Sequence, residues 1–114
     1  MKIAIPVDGD QVCVSFARAP QFLFEENGVV ERLDNIAADA QGGAGLKAAQ
    51  FLVDQGANIL ITVRCGENAA KVLEMANMKV YKSKGENALD QIQLLKEGKL
   101  DVLTEFHAGY HGLR

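Results

Sequence analysis

The sequence predicts an α/β domain in which a first strand is followed by a β-hairpin and then by helix, strand, helix, strand, helix. Three observations carry this prediction. Asn27-Gly28 stands between two strand-like segments, and this dipeptide favours the positive φ angles of a type I′ hairpin turn. Two short apolar runs, Ile3 to Val7 and Asn58 to Val63, read as strands covered on both faces. Three later segments repeat apolar residues with helical spacing, and glycine follows two of them.

Taken in order, Ile3 to Val7 ends at the Asp8-Gly9-Asp10 turn. Residues 9–19 form a loop with a little extended structure over Val12 to Val14. Pro20 marks the entry to the strand Gln21 to Glu26, and Val29 to Leu33 returns after the hairpin turn. Ala44 to Gln55 is expected as a helix with Leu46, Ala49 and Val53 on one face and Gly56 as its stop. After the strand 58–63, Glu67 to Ala76 carries Ala69, Val72, Leu73 and Ala76 at i, i+3, i+4 and i+7. Lys79 to Lys82 is a short strand. Ser83 with Glu86 reads as a capping box for a helix from Glu86 to Glu97, with Leu89, Ile92 and Leu95 facing inward and Gly98 closing it. One domain over residues 1–100 is expected, followed by a glycine-rich flexible tail over 101–114.

At 114 residues the chain is long enough for one core. Its hydrophobic fraction of 48% and charged fraction of 24% are those of an ordinary globular domain. A net charge of −3 argues against a broad nucleic-acid surface. No run approaches the ~20 apolar residues that cross a bilayer, and the apolar part of the N-terminus is too short for a signal peptide. Two cysteines, Cys13 and Cys65, supply no disulfide framework, so a reducing, cytoplasmic setting is expected.

Right-handed crossovers make the strands at 58–63 and 79–82 parallel. If the first strand runs parallel to 58–63, the loop 9–19, the loop 34–43 and the turn at 64–66 all lie beyond the carboxyl ends of the strands. Open α/β sheets place ligands at that edge. Asp8, Ser15, Arg18, Gly42, Gly43, Ala44, Gly45, Cys65, Gly66 and Asn68 therefore converge as a candidate binding site.

The Gly42-Gly43-Ala44-Gly45 turn and the Cys65-Gly66-Glu67-Asn68 turn each open into a helix. A helix start presents unpaired N–H groups and a positive dipole end, which favour an anion. Tight packing of loop on helix is the competing explanation for the glycines. The first turn lacks the Lys-Ser/Thr of a P-loop and does not follow the first strand, so nucleotide binding is not expected. Cys65, directly before a helix start, is placed where a thiol would be exposed and acidified, as a metal or redox ligand requires. Burial as a small apolar residue is its alternative. His107 and His111 stand at i, i+4 as candidate metal ligands, although Gly109 between them disfavours a helix and two histidines leave a coordination sphere incomplete. Arg18 beside a glycine-lined anion site reads as a clamp or as a surface ion pair. Phe16, Phe22 and Phe24 are core candidates.

Read together, MKIAIPVDG (Met1 to Gly9), SFARAP (Ser15 to Pro20), the GGAG turn, the CGENA turn and Lys79-Val80-Tyr81 resemble, in order and spacing, the dinitrogenase iron–molybdenum cofactor biosynthesis family. The resemblance covers about residues 1–100. It implies a ribonuclease H-like three-layer α/β fold with a mixed five-stranded sheet. It also implies binding, carriage or assembly of an anionic iron–sulfur or iron–molybdenum type cluster rather than catalysis, with a cofactor-delivery protein as partner. The chain has Ala17 where the family commonly has glycine, Gln41 where a histidine often precedes the glycine turn, and Cys65 where a glycine is frequent. Binding of a small anion without metal is the alternative function. A nuclease reading fails on its carboxylates: only Asp8 is placed at the edge, and Glu31 and Asp34 have no partner set for two-metal chemistry.

Overall fold

The computed structural model describes residues 1–106. The elements are β1 (Ile3–Asp8), β2 (Gln11–Val12), β3 (Gln21–Glu26), β4 (Val29–Asp34), α1 (Ala44–Asp54), β5 (Ile59–Thr62), α2 (Glu67–Met75), β6 (Lys79–Lys82) and α3 (Ala88–Lys96). The main path of the sheet runs β4-β3-β1-β5-β6, with β2 paired to β1 as a sixth strand. β1 is antiparallel to β3 and parallel to β5, and β5 is parallel to β6. This is the mixed α/β fold expected from the sequence, with β2 added to the five strands.

The hairpin turn forms as its dipeptide requires: Asn27 has φ 54° and Gly28 φ 85°. Alternation along the central strands then serves two cores. One side of the sheet buries Ala4, Phe22, Phe24, Leu60 and Val80 beneath α1 and α2. There Phe22 stands 5.7 Å from Phe16 and 6.1 Å from Phe51 between ring centroids, so aromatic contacts fill the space under α1. The opposite side buries Ile3, Ile5, Val7, Leu23, Ile59 and Ile61 beneath α3, whose Ala88 and Ile92 belong to the same cluster.

Two helix faces differ from expectation. In α1 the buried residues are Ala44, Ala48, Ala49, Phe51 and Leu52, while Leu46 is exposed. Small alanines let α1 approach the sheet and α2 closely, and the larger Leu46 is turned outward. In α3, Ala88, Gln91 and Ile92 face inward and Leu89 outward. The capping box at Ser83 does not form: Ser83 Oγ donates to the Gly85 carbonyl at 2.7 Å. Residues 86–88 are instead held against β2, through Val12 N–H to the Glu86 carbonyl and Ala88 N–H to the Asp10 carbonyl. The helix therefore starts later, with Asn87 as its cap accepting from the Asp90 N–H at 3.0 Å. Gly56 and Gly98 do close their helices, with φ 79° and 73°.

Beyond α3 the chain returns along the edge of β6. Lys82 N–H donates to the Asp101 carbonyl, Leu103 N–H donates to the Val80 carbonyl, and Leu103 is buried. His107 and His111 lie outside the described residues. No helix among the described residues is long and apolar enough to cross a membrane.

Candidate functional site

At the carboxyl edge of the parallel strands a cavity of about 590 Å³ opens between three pieces of chain: the turn 14–18, the start of α1, and the segment from Arg64 to the first turn of α2. Ser15, Arg18, Gly43, Ala44, Gly45, Cys65, Gly66 and Asn68 all line it. Asp8 and Gly42 are not among the lining residues. Asp8 is exposed at the end of β1, where Gly9 (φ 64°) reverses the chain and pairs Asp8 with Gln11. Gly42 is exposed one residue before the cap.

The two helix starts at this cavity differ from the third. Gly43 caps α1 with φ 66° and ψ 26°, and no side chain bonds its free N–H groups. Gly66 caps α2 in an extended conformation, again with no side-chain cap bond. α3 is capped by Asn87 and lies elsewhere. Two sets of helix-terminal donors thus face one cavity without an internal acceptor side chain. A left-handed cap requires glycine at 43, where an added Cβ would meet nothing but would strain the backbone. At Gly45 a Cβ would stand 3.6 Å from the Ala69 Cβ, an ordinary contact, so packing of α1 on α2 accounts for that glycine without a ligand.

Arg18 is exposed, and its Nη1 donates to the Ala38 carbonyl at 3.0 Å and the Ala40 carbonyl at 2.6 Å. Ser15 Oγ accepts from the Arg18 N–H at 3.2 Å and tightens the turn 15–18. Buried Asn35 donates to the Ala17 and Ala19 carbonyls, each at 2.9 Å, and accepts from the Ala37 N–H at 2.9 Å. These bonds stitch the loop 35–40 to the turn 15–19, and together the two segments form one wall leading into Gly43.

Cys65 takes the buried of its two alternatives. The residue is 1% exposed, and its thiol donates to the Gly66 carbonyl at 3.6 Å. Burial pushes the thiol up to about 11 from its ordinary 9.0. Desolvation outweighs the helix start, so Cys65 is a neutral thiol in the cavity floor rather than an exposed, acidified one. Among the described residues no three His, Cys, Asp or Glu side chains gather as a metal site.

Two further residues are not among the sequence's candidates, although Arg64 belongs to the turn 64–66 that the sequence places at this edge. Arg64 lies on the cavity and is exposed, and its guanidinium makes no hydrogen bond or ion pair with another described residue. Its position directly after a strand at the ligand-bearing edge was the available signal. Asn35 had none, because its importance lies in long-range bonds to backbone carbonyls.

Fold and cavity define a small α/β protein with a glycine-lined, arginine-flanked cleft at the carboxyl edge of a mixed sheet. The chain belongs to the dinitrogenase iron–molybdenum cofactor family, whose pattern it matches over residues 1–98. An uncharacterized protein of Methanocaldococcus jannaschii is 31% identical over 106 residues, covering 89% of this chain and 90% of the relative. The apo form of the orange protein from Desulfovibrio gigas superposes with a TM-score of 0.84 at 28% identity, over 90% of this chain and 92% of that one. A NifB candidate of the DUF35 family from Thermotoga gives 0.78 at 36% identity, over 96% and 98%. Family and neighbours point to a small cofactor-binding or carrier protein of the iron–molybdenum type.

Proposed function

We propose that this protein binds and carries a preassembled anionic metal–sulfur cluster in the cavity between α1 and α2, and that it performs no catalysis on it. The observation that carries this reading is the pair of uncapped helix starts facing one cavity. The cluster is cargo. Its negative charge and its sulfide acceptors would meet N–H groups from Ala44 to Leu46 and those of Asn68 and Ala69, with arginine as counter-charge.

The donor set fits such a cargo better than a bare metal ion. A bare metal ion needs several thiolate, imidazole or carboxylate ligands, and among the described residues no three such side chains gather. A cluster that arrives with its coordination complete needs hydrogen-bond donors and charge instead. The volume lies within the range of about 300–1,000 Å³ common for small-ligand sites. The family assignment and the apo description of the D. gigas neighbour support a carrier.

The test is anaerobic titration with tetrathiomolybdate and with a synthetic [4Fe–4S] cluster, followed by desalting, metal analysis and visible absorption. Retention of a metal–sulfur chromophore at a fixed stoichiometry is the expected result. Thermal stabilisation by phosphate with no retention of either metal–sulfur species would instead establish a metal-free anion module.

A further inference from the structure

The two arginines at the cavity have different bonding, and this divides their work. Arg18 is committed: one guanidinium nitrogen holds two carbonyls, Ala38 at 3.0 Å and Ala40 at 2.6 Å. Those carbonyls belong to the loop that ends at the left-handed cap Gly43, so the guanidinium fixes where α1 begins. Its charge is partly offset by two carbonyl dipoles. Arg64 borders the cavity from a different segment, directly before Cys65 and Gly66, is exposed, and has no described side-chain partner. Both arginines border the same cavity, but among the described residues only Arg64 has all its guanidinium donors without a protein partner.

We infer that Arg64 is the ligand-contacting counter-charge of the cavity and that Arg18 is a positioning residue that shapes the cavity wall through the Ala38 and Ala40 carbonyls. This rests on the proposed function for the existence of an anionic ligand, and it adds which residue recognises that ligand. An approaching dianion would meet the Arg64 guanidinium together with the helix N–H groups that border the cavity. Arg18 would act on binding only through the placement of Gly43 and the first turn of α1.

The two roles differ in what lysine can replace. A counter-charge needs a cation within reach, which lysine supplies. The clamp uses the two N–H groups of Nη1 at the far end of the arginine side chain, and the lysine ammonium, one bond shorter and strongly hydrated, does not reach both carbonyls from the same backbone position. The salt dependence of binding separates them further, because screening weakens a charge contact and leaves loop placement unaltered.

The experiment is a titration of the full chain with tetrathiomolybdate, a mononuclear dianion with a visible chromophore, at low and moderate salt. R64Q, R64K, R18Q and R18K are compared with wild type, and thermal midpoints are recorded for each. R64Q is expected to weaken binding by about tenfold or more, to flatten its salt dependence and to leave the midpoint unchanged. R64K should bind within a few-fold of wild type. R18Q and R18K should both lower the midpoint and weaken binding, while the salt dependence of the remaining binding stays that of wild type. The inference is overturned if R64Q binds like wild type, or if R18K restores the binding and salt dependence that R18Q loses. Failure of wild type to bind tetrathiomolybdate or the [4Fe–4S] cluster would overturn the proposed function itself, and this is seen before any variant is compared.

Discussion

The Arg18 guanidinium and the Ala40 carbonyl meet at 2.6 Å across 22 residues of sequence. That bond, with its neighbour at Ala38, closes the loop after β4 onto the turn that follows β2. The cavity wall is therefore a product of tertiary hydrogen bonding, and the start of α1 inherits its position from it. Asn35 completes the same seam from the buried side.

Asn35→Ala should show how much the seam contributes. The substitution leaves a buried carbonyl, a half-buried carbonyl and a buried N–H short of a partner, at a cost of about 2 kcal/mol. Urea denaturation should report that loss. Amide exchange at residues 35–40 should quicken while exchange in β1 and β5 follows only the global change.

Gly43→Ala meets no steric obstacle but forces a Cβ into the left-handed region. A loss of about 1 kcal/mol is expected, measured by chemical denaturation. Gly42→Ala, with open space and no positive φ, should be close to neutral.

The Cys65 thiol carries a pH signature. Its ordinary value is 9.0 and burial raises it to about 11. Between those values the unfolded chain loses the proton and the folded chain keeps it, so stability falls as pH rises through this window. Cys65→Ala should remove that part of the alkaline loss. At a pH of about 8, alkylation followed by peptide mapping should modify half-buried Cys13 well before Cys65.

Glu25 sets the acid side. It is buried at the back of the sheet, where Lys96 Nζ lies 2.7 Å from its Oε2 and the Gly28 N–H donates to the same oxygen. The Lys96 bond, opposed by burial and aided by Gly28, holds the carboxyl below its ordinary 4.5. A carboxyl lowered on folding adds stability that is present above the unfolded value and is lost as pH falls through the folded one. Stability should thus decline below about pH 4.5, and Glu25→Gln should be less stable at neutral pH with a shallower acid decline.

Much of the fold could be read from local chemistry. Asn27-Gly28 fixed the hairpin, Gly56 and Gly98 fixed two helix ends, and the crossover rule brought the glycine turns to one edge. What escaped was set by distant partners. Ser83 had the form of a helix cap, yet β2 claims the residues after it and moves the cap to Asn87. Leu46 and Leu89 fitted helical periodicity, but close packing at those faces selected alanines. Asp8 lies at the end of β1 but not in the cavity, because Gly9 turns the chain back on β1. Cys65 stands directly before a helix start in sequence, and which of its two alternatives holds is decided by the core that covers its thiol.

The central claim is that the backbone donors at two helix starts form the binding surface. Adding tetrathiomolybdate to isotope-labelled protein while following backbone amide resonances tests it most directly. The expected result is that the largest shifts fall on Ala44 to Leu46 and on Asn68 and Ala69 and saturate together. Shifts confined to the groove lined by Met78, Tyr81 and Phe106, or no saturable shift at any amide, would contradict it.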